Sequence, residues 1–414
     1  MPGPGPLGPD ARILFATRGL RMFGYGFLSV VLVLYLAAMG LSDVEIGALL
    51  AFTLLGDAAV SFILTTRADR LGRRRVLLAG ALLMVVAGAV FVATRSFAVL
   101  LLAATVGVIS PSGNEVGPFL AVEQASLAQT VGDRRRTSVF GWFALSGSLA
   151  TATGALAGGA VAQVGLGAGL EPAGAYRLVV AGYLLVGLGL AALFLRLSPA
   201  IEVPPGSASP AAGRLGLHRS RGVVLRLSAL FSLDAFAGGF VMQSLVAYWF
   251  HVRFGIDPAA IGAILFVANL LAAASALAAA RIATRIGLLN TMVFTHLPSN
   301  VLLVLVPLMP TLPLAVAVLL ARFAISQMDV PTRQSYTLAI VDPDERSAAA
   351  GVTGIARSVG AGVAPLASAP LVGDPALAGI PFLVAGSLKI AYDLLAWIAF
   401  RRVRPPEEGG PHPR

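Results

Sequence analysis

The chain has 414 residues, of which 57% are apolar and only 12% charged, with a net charge of +10. A soluble protein of this length needs about twice that share of charged residues, so the composition excludes a water-soluble globule and points to a chain that crosses the bilayer many times. There is no cysteine, which removes disulfides, thiolate metal sites and thiol nucleophiles, and the four histidines are scattered with none at ligand spacing. In chain order, a Pro- and Gly-rich tail over residues 1–12 reads as disordered, with no removable signal peptide ahead of the first apolar run. Hydropathy then predicts twelve helices near residues 13–38, 45–66, 76–94, 97–128, 138–164 and 177–197, and after an interval near 223–250, 259–280, 291–309, 313–340, 347–370 and 380–400. Each is long enough for a hydrocarbon core of about 30 Å, and a closed helix satisfies its own backbone there.

The interval, residues 198–222, carries Pro204, Pro205, Gly206, Ser207 and Pro210 and reads as a flexible linker. It divides the chain into an N-terminal bundle of six spans, 13–197, and a C-terminal one, 223–401, followed by a tail over 402–414. With the N-terminus inside, 21 basic residues fall in cytoplasmic segments and three, Arg95, Arg177 and Arg253, in outer ones. This positive-inside bias places both termini in the cytoplasm of a plasma-membrane protein. The positive charge is thus topological and calls for no nucleic acid.

The halves repeat one another. Ile46-Gly47-Ala48-Leu49 recurs as Ile261-Gly262-Ala263-Ile264, and Ala68-Asp69-Arg70-Leu71-Gly72 as Ala283-Thr284-Arg285-Ile286-Gly287, both at an offset of 215 residues. A duplicated six-helix unit is a transporter architecture, with the substrate site between the repeats.

Between spans two and three, Asp69, Arg70, Gly72, Arg73 and Arg74 stand in the pattern Asp-Arg-x-Gly-Arg-Arg, preceded by Thr65. This resembles the signature loop of the major facilitator superfamily, whose leading residue is Gly. The resemblance implies two pseudo-symmetric six-helix bundles, all-α, twelve transmembrane helices in total, working by alternating access. It also implies a cytoplasmic latch in which the loop aspartate caps a helix of the other half, and it suggests Glu123 as a carboxylate partner of the arginine cluster. Gly154, Gly158 and Gly159 in span five resemble the antiporter motif of drug:proton efflux facilitators, with Ala155 in place of its Pro. Close helix packing explains the same glycines.

In that fold spans one, four, seven and ten line the cavity. All four carry polar or ionisable groups: Arg18, Arg21 and Tyr25; Asn114, Glu115 and Glu123; Asp234; Arg322, Asp329 and Arg333. Such groups are costly in hydrocarbon and normally face a partner or an aqueous cavity. Arg322, Ser326, Asp329 and Arg333 share one helical face. Glu115, Asp234 and Asp329 are the candidate proton carriers, and Arg18, Arg21, Arg322 and Arg333 the candidates for an anionic group of a substrate; a terminal Arg18 that snorkels to the lipid surface is the alternative. Pro111 to Glu115, and the Asp329-Val330-Pro331 region, read as helix breaks or as simple kinks.

Lys389 and Asp393 in span twelve read as a self-neutralising i,i+4 pair, and His296, Pro298 and Asn300 in span nine as structural. Asp57 and Arg357, at similar depths in spans two and eleven, are expected to pair between the bundles. No G-x-x-x-x-G-K-[ST] loop occurs, so ATP is not the energy source, and no catalytic or metal constellation suggests an enzyme. The expectation is a monomeric, cofactor-free secondary transporter coupling small-molecule export to protons. Organic-anion uptake or exchange, and a transporter-derived receptor, are the alternatives.

Overall fold

A computed structural model describes residues 7–131, 133–203, 219–342 and 345–403. They are helical, without a strand. In order the α-helices are α1 (Pro9–Ser29), α2 (Leu32–Ala38), α3 (Asp43–Leu71), α4 (Arg73–Ala93), α5 (Phe97–Val106), α6 (Phe119–Thr130), α7 (Asp133–Gly167), α8 (Pro172–Phe194), α9 (Arg221–Gly239), α10 (Gln243–Phe254), α11 (Pro258–Ile286), α12 (Leu288–Leu305), α13 (Leu312–Ser326), α14 (Asp329–Ala339), α15 (Arg346–Val363), α16 (Pro365–Gly373) and α17 (Ile380–Phe400).

Among the described residues, ten helices are long and apolar enough to cross a membrane, and eleven when the bent pair α1–α2 counts as one span. The expected fourth span differs: α5 is a ten-residue apolar helix, α6 follows twelve residues later, and residues 107–118 between them are not helical. Only 28–50% of the apolar window of each span is buried within the protein. Leu102, Val164, Leu185 and Ile398 point their side chains outward, which suits a lipid-facing surface.

All four spans expected to line a cavity are interrupted. Span one bends by 43° between Ser29 and Leu32. Span four opens at Pro111, Gly113 and Pro118, with left-handed backbone at Gly113 (φ 69°) and Gly117 (φ 80°). Span seven breaks after Gly238-Gly239, and span ten at Gln327-Met328. Pro331 is therefore no mid-helix kink: it is the third residue of α14, where a missing N–H costs no helical bond. Span eleven is interrupted as well, at Ala364-Pro365.

The repeat is visible in backbone geometry. Gly72 joins α3 to α4 with φ 95°, and Gly287 joins α11 to α12 with φ 86°, at the offset of 215 residues seen in the sequence. Side chains with a Cβ rarely adopt that conformation.

The chain forms two compact units, Met1–Ser209 with Met242–Phe266, and Pro210–Val241 with Val267–Arg414. The segment 242–266, in the second sequence repeat, thus groups with the first unit. In that unit α1 packs along α7, α4 along α8 and α3 along α5. Gly154 and Gly158 of α7 face the carbonyls of Phe23 and Phe27, so a side chain at either would meet backbone. Gly159 lies against Pro258 and Gly262 at the start of α11. A capping box starts α3: Ser42 Oγ accepts from Glu45 N at 3.3 Å, and Ser42 N donates to Glu45 Oε2 at 2.8 Å. In the second unit α9 packs on α15 and α12 on α17, around Phe231, Met292, Tyr336 and Tyr392.

Candidate functional site

Each unit holds one buried network of charges. In the first, α1 presents Arg18 and Arg21 toward the interrupted span four. Arg21 is fully buried; its Nη1 and Nη2 donate to Glu123 Oε1 and Oε2 at 2.6 and 2.7 Å, and its Nε donates to Glu115 Oε1 at 2.9 Å. Arg18 Nη1 pairs with Glu115 Oε2. Thr17 Oγ1 adds a bond of 2.9 Å to Glu123. The guanidinium of Arg21 lies 4.6 Å from the Phe119 ring centroid, and that of Arg18 lies 5.2 Å from that of Phe143. Two cations meet two carboxylates, so the network is neutral.

Tyr25 donates to the Val116 carbonyl at 3.0 Å, bracing the non-helical segment. Asn114 is exposed; its backbone carbonyl accepts from Ser110 Oγ at 2.6 Å. Asp57 of α3 accepts from Gly117 N at 2.6 Å and from Ser61 Oγ at 3.4 Å, so it caps one of the peptide groups freed by the break.

In the second unit Asp234 of α9 is the hub. Lys389 Nζ donates to its Oδ1 at 2.5 Å, and Arg333 Nη1 and Arg357 Nη1 donate to its Oδ2 at 3.1 and 3.2 Å. Arg333 also binds Asp329 at 2.8 Å. His296 Nε2 lies 4.0 Å from Asp234 Oδ1, while its Nδ1 is 2.9 Å from Asp393 Oδ1. Asn300 Nδ2 donates to Asp393 Oδ2 at 2.8 Å. Helices α9, α12, α14, α15 and α17 meet here through polar atoms. Arg322 of α13 makes no ion pair or hydrogen bond among the described residues, and its Nε is buried without a partner.

These placements correct two readings. Glu123 is no partner of the signature loop; it is buried against Arg21. Lys389 and Asp393 do not neutralise each other, since Lys389 reaches Asp234 and Asp393 takes His296 and Asn300. His296 and Asn300, read as structural, join the network through Asp393. Asp57 and Arg357, expected to pair with each other, each take a partner within their own unit, Gly117 and Asp234.

In the signature loop Arg73 Nε binds Asp69 at 2.9 Å, and its Nη1 binds Gln129 Oε1 at 2.8 Å and the Ile201 carbonyl at 3.1 Å. Arg70 is exposed. The carboxylate at a helix N-terminus is Glu202, accepting from Arg73 N and Arg74 N at 2.6 and 3.1 Å, whereas Asp69 stays beside Arg73. Glu202 and Gln129 carried no signal in the sequence. Lys389, Asp393, His296 and Asn300 did: ionisable groups in hydrocarbon need partners, and each pair lies on one helical face.

A family profile described as Major Facilitator Superfamily matches residues 14–365 and 253–414. The chain belongs to that superfamily. It is 30% identical over 416 residues to the "Uncharacterized membrane protein YJR124C" of Saccharomyces cerevisiae, covering 93% of each chain. Among solved structures it resembles a D-xylose-proton symporter, with TM-score 0.75 and 16% identity over 97% of this chain and 99% of that one. It also resembles the nucleoside transporter NupG, with TM-score 0.74 and 13% identity over 95% and 100%. At such identities the likeness shows the fold. This facilitator is thus a secondary transporter of small molecules in a membrane, not an enzyme.

Proposed function

We propose that this facilitator exports a small molecule across the plasma membrane in exchange for entering protons, as a monomer with both termini in the cytoplasm. The observation that carries the proton step is Asp234, one carboxylate holding Lys389, Arg333 and Arg357 with an imidazole 4.0 Å away. Histidine is the common proton shuttle of proteins, and His296 bridges Asp393 to this hub. A proton delivered to Asp234 removes the charge that ties α9 to α14, α15 and α17. Protonation and helix movement then share one group, which is what coupling requires. The basic asymmetry of the loops supports the orientation. The glycine motif of α7, by its resemblance to efflux facilitators, supports the direction.

Reconstitution into proteoliposomes tests the reading, with a panel of labelled solutes screened by counterflow. An acidic lumen should drive uptake of the solute that exchanges, and Asp234→Asn should abolish that uptake while exchange at equal pH survives. Glu115→Gln and Asp329→Asn extend the test to the other two candidate carriers. Gradient-driven accumulation by all three variants sinks the carboxylate-carrier reading.

A further inference from the structure

Of the four arginines that sequence offers for an anionic group, three are already engaged by carboxylates. Arg18 and Arg21 are held by Glu115 and Glu123, and Arg333 by Asp329 and Asp234. Arg322 is different. It has no ion pair or hydrogen bond among the described residues, and its Nε is buried with no partner. One turn further along α13, Ser326 is 3% exposed and its hydroxyl is also without a partner. Residues four apart share a helix face, so the buried Nε of Arg322 and the Ser326 hydroxyl, neither with a hydrogen-bond partner, lie on one face.

Depth and charge make this an unusual arrangement. Arg322 is ten residues past Leu312, the start of its span, or about 15 Å into a hydrocarbon layer of about 30 Å. The mid-span carboxylates of the second unit are Asp234, Asp329 and Asp393, and its mid-span Lys and Arg side chains are Arg322, Arg333, Arg357 and Lys389, so four basic side chains stand against three acids. Asp329 and Asp234 act on Arg322 only through space, and its guanidinium lies 5.1 Å from the Phe323 ring centroid; a cation with no direct ion pair at that depth is costly and, where kept, marks a ligand pathway. Guanidinium presents a planar fork that fits two oxygens of one oxyanion, and a neighbouring hydroxyl can donate to either of them.

We infer that Arg322 and Ser326 hold the negatively charged head of the transported molecule, an organic oxyanion such as a carboxylate, sulfonate or phosphate monoester. This rests on the transport reading above and names its substrate class. When bound, the anion offsets the extra positive charge of this mid-span set; when it leaves, that charge returns.

The test is binding, not transport. The purified full-length protein in detergent is melted at fixed pH, with tryptophan fluorescence as the signal. Millimolar benzoate, benzenesulfonate or phenyl phosphate is added in turn, with uncharged benzamide and sodium chloride as controls. At least one of the three oxyanions should raise the melting temperature, with the relative response separating carboxylate from sulfonate and phosphate, while benzamide and chloride should not. Arg322→Gln should weaken the response about 10- to 100-fold in half-saturating concentration. Arg322→Lys should fall between, and Ser326→Ala should lose about 2- to 10-fold. No response to any of the three oxyanions, a response to chloride alone, or an unchanged midpoint in a cooperatively melting Arg322→Gln protein overturns the assignment. Should Arg322→Gln fail to fold, unchanged midpoints in both Arg322→Lys and Ser326→Ala overturn it equally. Because no gradient is involved, loss of coupling in Asp234→Asn leaves this result standing, and loss of oxyanion binding leaves the coupling test standing.

Discussion

In the first unit Glu115 and Glu123 divide Arg18 and Arg21 between them; in the second, Asp234 serves three cations and Arg322 is left over. The central contact joins the first and fourth spans of each half, Arg21 of span one with Glu123 of span four, and Asp234 of span seven with Arg333 of span ten, with the sign reversed. A neutral set of four, each charge in a direct ion pair, has little reason to change when a ligand arrives. A hub that many cations share, beside an unmatched one, responds to any added or removed charge. The comparison assigns the first unit the more rigid role and the second the responsive one.

Several experiments can break or sharpen that contrast. The largest effect is expected from Asp234→Ala, which strands three cations and should cost about 3–5 kcal/mol, read as a fall in melting temperature and a loss of monodisperse protein. Pairing it with Lys389→Met should recover part of that loss, and simple additivity would count against the hub. Next, Glu123→Gln should cost about 1.5–3 kcal/mol by thermal melting, since its bidentate pair with Arg21 is fully buried. Glu115→Gln should cost less, because that side chain is 16% exposed; the reverse order would refute the picture of a rigid first network. Gly158→Ala should lower stability by about 1–3 kcal/mol by overpacking α1 against α7. A double-mutant cycle over Asp57→Asn and Arg357→Gln should be additive to within about 0.5 kcal/mol. Local partners account for both charges, and a larger coupling would restore the pairing read from sequence.

Much of this was legible before any coordinates. The long apolar runs, the repeat at 215 residues and the signature loop led to the fold, and Gly72 and Gly287 carry the repeat into backbone geometry. The interruption at Pro111 to Glu115 could be seen as a break, but hydropathy averages over a window and still drew one continuous span through it. Partner assignment was the weak part. Spacing along one helix suggested Lys389 with Asp393, whereas packing gave each a better partner on a different helix, at distances no one-dimensional pattern encodes. Glu123 was drawn toward the loop by resemblance, while the nearer arginine, Arg21, lies 102 residues away in sequence. Arg322 was evident in the sequence, yet that it makes no direct ion pair or hydrogen bond among the described residues showed only once the other charges were placed.

The opened fourth span has a consequence for how the chain is made. Lipid cannot satisfy the peptide groups of residues 107–118, so other helices must do so. Tyr25 and Asp57, which serve Val116 and Gly117, have already left the ribosome when this segment emerges. Tyr183 of α8, which donates to the Val108 carbonyl, is synthesised 75 residues later. Until it arrives, a ten-residue apolar helix and an unfinished loop have to wait at the insertion machinery, so the N-terminal bundle closes in an order different from that of its sequence.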